Sequence, residues 1–185
     1  MSEVVIDTNV LLVANGQHDD VSPQCMQRCI EHLLLVQRQG KVVIDDAYHL
    51  LQEYRHKTSL HPAKGVGDVF LKWLLRNIGN AALVETVSIH ETAPDEFAEF
   101  PVPELQSAFD ASDRKFVAAA AAHPARPPIW QGADCKWLHW WPQLAAAGTR
   151  VEFLCPEDAC RWFRHKFPDE PELAFPPVST PEAPA

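Results

Sequence analysis

The chain has 185 residues, 46% of them hydrophobic and 22% charged, with 16 Lys and Arg against 25 Asp and Glu and a formal net charge of −9. That length suits one globular domain with a sizeable core; no apolar run approaches the roughly 20 residues of a membrane span, and the opening Met-Ser-Glu-Val-Val-Ile-Asp lacks the basic start and long apolar stretch of a signal peptide. An odd count of 5 unevenly scattered Cys argues for reduced thiols in a cytoplasm rather than a disulfide framework, and the acidity argues at first sight against nucleic acid as a partner.

The pattern alternates strand and helix. A short apolar run, residues 3–6, ends at Asp7. Residues 23–39 carry apolar side chains at helical spacing (Met26, Cys29, Ile30, Leu33, Leu34) and close at Gly40, where a C′ glycine belongs. Residues 41–44 read as a second strand, after which Asp46 suits an N-cap for a helix with the face Ala47, Leu50, Leu51 and Tyr54. An amphipathic helix over 66–78 leads to a third strand over 83–89.

Residues 91–104 hold five acids, no base and three Pro, and read as a long acidic surface loop. An Ala-rich helix over 113–123 precedes a fourth strand at 128–131. A helix over 136–147, ended by Gly148, precedes a fifth at 151–154, and Pro156 opens a last helix to about residue 166. The final segment, 168–185, holds six Pro and four acids without a Lys or Arg and reads as an extended tail beyond a domain spanning 1–167. Five strands separated by helices predict an α/β three-layer sandwich around a mainly parallel five-stranded sheet.

In such sheets ligands bind beyond the carboxyl ends of the strands. Asp7 and Asn9 follow strand one, Asp45 and Asp46 follow strand two, and Asp134 follows strand four. Asp110 and Asp113 open the helix that feeds strand four, and Glu53 flanks the apolar face of the helix after strand two. Gathered carboxylates repel one another unless a cation sits among them. Carboxylate oxygens are the donors that Mg²⁺ or Mn²⁺ prefers, and such a site can activate water for attack on a phosphodiester.

Order and spacing carry a resemblance. Val4-Val-Ile-Asp-Thr-Asn-Val resembles the opening of a PIN domain, a family of Mg²⁺- or Mn²⁺-dependent ribonucleases that includes many bacterial toxins. Leu50-Leu-Gln-Glu-Tyr, Phe109-Asp-Ala-Ser-Asp-Arg-Lys-Phe-Val-Ala and Gly132-Ala-Asp-Cys-Lys-Trp are similar to its second, third and fourth motifs, in family order. The resemblance implies a divalent-metal-dependent endoribonuclease, allows a toxin role with an antitoxin or other protein partner, and by analogy allows homodimerisation. It implies Asp7, Asp113 and Asp134 as metal ligands, Glu53 completing the catalytic acidic pocket, and Asn9 orienting it. Gly132-Ala133 stand where the family often has a hydroxyl residue before the fourth acid.

Each acid has a plainer reading. Asp7 could begin a turn, Asp46 is better an N-cap than a ligand, and Asp110 suits capping where Asp113 suits metal binding. His49 and Glu53, four apart, read as a surface pair, and the Cys spacings make no zinc set. Trp140-Trp141 suits core or partner surface better than base stacking. Arg55, Lys57, Lys64, Arg114 and Lys115 are the phosphate-contacting candidates. A non-catalytic protein- or RNA-binding module of the same fold is the alternative; a dehalogenase-type phosphatase would show Asp rather than Asn9 two residues after Asp7. Outside 91–104 and 168–185 the remaining acids equal the bases in number, so the net charge of −9 leaves RNA as an allowed partner.

Overall fold

Short β-branched runs such as Val4-Val5-Ile6 and Val42-Val43-Ile44 are buried throughout, as strands covered on both faces require. A computed structural model describes residues 3–18 and 20–171. In chain order the elements are β1 (Glu3–Ile6), α1 (Thr8–Ala14), α2 (Pro23–Gln39), β2 (Lys41–Asp45), α3 (His49–Lys57), α4 (Val66–Asn77), β3 (Val84–Val87), β4 (Glu91–Ala93), β5 (Glu96–Phe97), α5 (Pro103–Gln106), α6 (Arg114–Ala122), β6 (Ile129–Gln131), α7 (Trp137–Ala146), β7 (Val151–Phe153) and α8 (Pro156–Lys166). A short 3₁₀ turn, Ala111–Asp113, leads into α6.

The central sheet has the order β3-β2-β1-β6-β7, and every pairing is parallel. The three-layer α/β expectation holds. The order reverses at β1, which pairs with β2 on one side and β6 on the other, so the crevice beyond its carboxyl end is the topological switch point. α6 lies against β1, β2 and β6, while α1, α2 and α4 pack on one another. The α1–α4 approach is close: a Cβ on Gly67 would stand 2.2 Å from the Leu11 carbonyl oxygen. Asn15 and the buried Asp68 lock the same pair, the Asn15 amide donating to Asp68 Oδ1 at 2.7 Å and the Asp68 N–H donating back at 3.0 Å.

Several local expectations are corrected. Residues 8–14 form a helix of their own, and Asp7 caps it. Asp46 is not the cap of α3. Its carboxylate accepts the Ser88 hydroxyl instead, and the buried Asp45 takes the His49 and Leu50 N–H groups at 2.8 and 2.9 Å. Tyr48, at φ 64°, supplies the left-handed residue that turns the chain there. The acidic stretch is not a bare loop: β4 and β5 pair antiparallel, and Phe97 and Phe100 are buried. Gly40 ends α2 in extended backbone at φ −109°; what it needs is room, since a Cβ would meet Val36 Cγ2 at 2.6 Å. Gly148, at φ +82°, is the left-handed one.

The tail expected from 168 starts as an exposed turn, with Glu170 Oε2 3.2 Å from His139 Nδ1; residues 172–185 lie outside the described residues. No described helix is long and apolar enough to cross a membrane.

The expectation of wholly reduced thiols is also corrected. Cys25 in α2 and Cys155 before α8 form a disulfide across a sequence separation of 130, and Cys29 Sγ lies 3.9 Å from Cys155 Sγ. The thiols therefore give no support to a cytoplasmic location. Because cross-linking so long a loop restricts the unfolded chain, Cys155→Ser is expected to cost about 2–5 kcal/mol of stability. Thermal melts of that variant and of the reduced wild type should both shift down, and peptide mapping without reductant should recover the Cys25–Cys155 pair.

Candidate metal centre

β1 delivers Asp7 to the switch point. The residue is 3% exposed, because Tyr54 of α3, itself buried, donates its hydroxyl to the neighbouring Ile6 carbonyl and closes that side. Asp7 Oδ1 accepts the Asn9 N–H at 2.7 Å as the cap of α1. Its other oxygen, Oδ2, is buried with no hydrogen-bond partner, an arrangement that calls for a cation or a proton.

The remaining acids arrive from separate elements. Asp113 ends the 3₁₀ turn before α6, and the Trp137 indole N–H donates to its Oδ2 at 3.0 Å. Asp134 lies between β6 and α7, where its Oδ1 accepts the Lys136 N–H at 3.0 Å. Glu53 comes from the middle of α3. Burial, then the negative charge of Asp113, and more weakly that of Asp134 and Glu53, push the Asp7 carboxyl well above the ordinary range, against the lowering effect of the Asn9 N–H. Asp113 is pushed up to about 7, by burial first and then by Asp134 and Asp110, with the Trp137 and Ser112 hydrogen bonds working the other way. The structure thus brings Asp7, Glu53, Asp113 and Asp134 into one electrostatic neighbourhood.

Asn9 braces this centre. Its Oδ1 accepts the Ala133 N–H at 2.8 Å, and its Nδ2 lies 3.0 Å from His18 Nε2. Because the Asn9 oxygen is an acceptor, its amide nitrogen is the donor to His18, which fixes that ring nitrogen as the acceptor. The glycine before Ala133 is required by the same contact: a Cβ on Gly132 would stand 2.3 Å from Asn9 Oδ1. The space a side chain at 132 would need is taken by the Asn9 side chain.

Other expected residues fall differently. Asp110 does not cap through its side chain; it pairs with Lys136 Nζ at 2.7 Å. Arg114 is buried and donates to the carbonyls of Phe109, Asp95 and Ser107. Lys115, also buried, bonds the Ser112 carbonyl at 2.5 Å and stands 3.7 Å from Glu53. Arg55 and Lys57 are exposed in the last turn of α3, beyond Glu53, and Lys64 is exposed in the loop before α4. The sequence reading missed Trp137, three residues beyond Asp134, and Lys136 beside it. Trp140 is tilted against Phe109 at 4.3 Å, in keeping with a packing role.

The donor set suits a hard divalent ion: carboxylates only, one oxygen orphaned, and mutual repulsion that an ion would relieve. Two other clusters bring their ligand atoms within 4.8 Å of one another, namely Cys25, Cys29 and Cys155, and Glu3, Glu85 and His123. In the second of these Glu85 already holds Lys41 at 2.9 Å and His123 at 3.1 Å. Among the described residues, Asp7, Asp113 and Asp134 do not bring their carboxylate oxygens all within 4.8 Å of one another.

Two outcomes are expected. Since the Asp113 carboxyl titrates near 7 when folded against an ordinary 3.8, its stabilising contribution is complete below the ordinary value and is lost as pH rises through about 7. Asp113→Asn, which keeps the acceptor for Trp137 and cannot ionise, should raise the Tm of metal-free protein at about pH 8 and leave it unchanged at about pH 4. Gly132→Ala should displace Asn9 and, as a small-to-large change at a packed site, lower stability by about 1–3 kcal/mol, read by denaturant unfolding.

Compared with known proteins, the chain matches no protein-family model, no curated protein and no solved structure at a significant level.

Proposed function

We propose that the chain is a PIN-like endoribonuclease that hydrolyses RNA phosphodiester bonds with Mg²⁺ or Mn²⁺. The observation that carries this reading is the orphaned Oδ2 of Asp7, buried at the switch point amid three further carboxylates. Asp7, Asp113 and Asp134 would hold the ion, with Glu53 completing the pocket. A bound ion would supply charge stabilisation on the phosphate and a more acidic water.

The chain's own residues prepare that chemistry. Trp137 fixes the orientation of Asp113, and Asn9 ties the first acidic segment to the fourth through Ala133. The buried Lys115 sets a positive charge 3.7 Å from Glu53. The balance of acids and bases outside 91–104 and 168–185 supports an anionic substrate once an ion offsets the site's own charge.

The expected result is Mn²⁺- or Mg²⁺-dependent cleavage of unstructured RNA that excess chelator stops and that Asp7→Asn lowers by about a hundredfold or more, with the fold retained by circular dichroism. Undiminished cleavage in chelator, or by Asp7→Asn, would refute the proposal. Tight RNA binding without cleavage would favour the non-catalytic module instead.

A further inference from the structure

On the α8 side of Asp134 a cavity of about 240 Å³ opens, lined among others by Asn9, His18, Asp134, Lys136, Trp162 and Lys166. It is below the roughly 300–1,000 Å³ of pockets for larger ligands. Its chemistry differs from that of the acidic pocket it adjoins. Lys136 and Lys166 bring two cations to it, against the carboxylates of Asp134 and Asp20.

Trp162 is held in place as well as packed in part against the core. It is half-buried, its indole N–H donates to the Asp20 carbonyl at 2.8 Å, and Arg161 donates to the same carbonyl at 2.8 Å. Lys166 follows it by four residues, one helical turn along the same face of α8. Lys136 reaches Asp110 at 2.7 Å, on the rim that also carries Asp113. An anchored aromatic ring with flanking cations is how proteins hold unpaired bases. The cations at this end are Lys166 and the Asp110-paired Lys136, whereas Arg114 and Lys115 bond backbone carbonyls of the fold.

We infer that this cleft seats a single nucleotide of single-stranded RNA, its base against the Trp162 indole and its phosphate drawn by Lys136 and Lys166 toward Asp134. The inference rests on the nuclease reading of the acidic site for the identity of the strand. A base still paired in a duplex could not reach the ring, so duplex RNA is excluded from the cleft.

The test uses fluorescein-labelled oligouridylate and the full chain: anisotropy in Ca²⁺ buffer for binding, and cleavage in Mn²⁺. Trp162→Ala and Lys166→Glu are expected to weaken binding about tenfold or more and to raise KM while kcat changes little. Trp162→Phe, which keeps a flat ring and loses the bond to Asp20, should bind within about threefold of wild type. Arg38→Glu, the same charge reversal at the far end of α2, should bind within about twofold. Equal losses in Trp162→Ala and Trp162→Phe would assign Trp162 to anchoring the loop and overturn the inference, as would unchanged binding in Lys166→Glu. Should Trp162→Ala fail to fold, the Phe and Lys166 variants still decide. Cleavage with no sensitivity to these variants defeats the cleft and leaves the nuclease standing; binding that depends on Trp162 without any cleavage does the reverse.

Discussion

Asp7 sits in the centre of the sheet with one oxygen bonded and the other facing nothing that can donate to it. Burying an ionised carboxylate in that condition is costly, and its carboxyl accordingly holds its proton well above the usual range. The surroundings can be understood as what keeps the cost in place. Tyr54 closes one side by bonding the Ile6 carbonyl. Trp137 pins Asp113, and Asn9 fastens the β1 end to the β6 end. None of these contacts neutralises the charge. They hold several acids together in spite of it, which is the arrangement expected where function is kept at the expense of stability.

The cations near the centre fall into two kinds. Arg114 and Lys115 are buried and committed to backbone carbonyls, so they are part of the scaffold that presents Asp113 and Glu53. Lys136 and Lys166 stand on the exposed side of Asp134. Lys136 is already paired with Asp110, so what the α8 end adds beside Asp134 is Lys166 and the Trp162 ring. The negative balance of the whole chain is concentrated elsewhere in the sequence, and five of its acids are carried by the β4–β5 region and α5.

The strands of the central sheet and most of the longer helices were legible from local signals, although α1 was not. Val4-Val5-Ile6 before Asp7 and Val42-Val43-Ile44 before Asp45 are apolar runs ended by acids, and both became central strands with acids at their carboxyl ends. The convergence of Asp7, Glu53, Asp113 and Asp134 followed from the parallel topology alone. What escaped depended on contacts distant in sequence or on backbone conformation. Asp46 looked like a cap because the left-handed Tyr48 carries no compositional warning. The 91–104 stretch looked like a loop because its prolines and acids outweighed Phe97 and Phe100, whose burial only the fold reveals. Cys25 and Cys155 lie 130 residues apart, and nothing in their flanking residues pairs them. Nor does the sequence around Gly132 signal that the Asn9 side chain, more than a hundred residues earlier, fills the space beside it.

The disulfide also divides the chain topologically. Everything from Cys25 to Cys155 belongs to one covalent ring, and that ring carries β2, β3, β6 and β7 together with Glu53, Asp113 and Asp134. β1 and α1 precede it. The middle strand of the sheet thus lies outside the ring and is inserted between two of its strands, held by pairing with β2 and β6 and by packing. Withdrawal of this one segment would empty the switch point of Asp7 and Asn9 while the ring stayed shut. The acid on which the centre depends is mounted on the part of the sheet that the cross-link does not restrain.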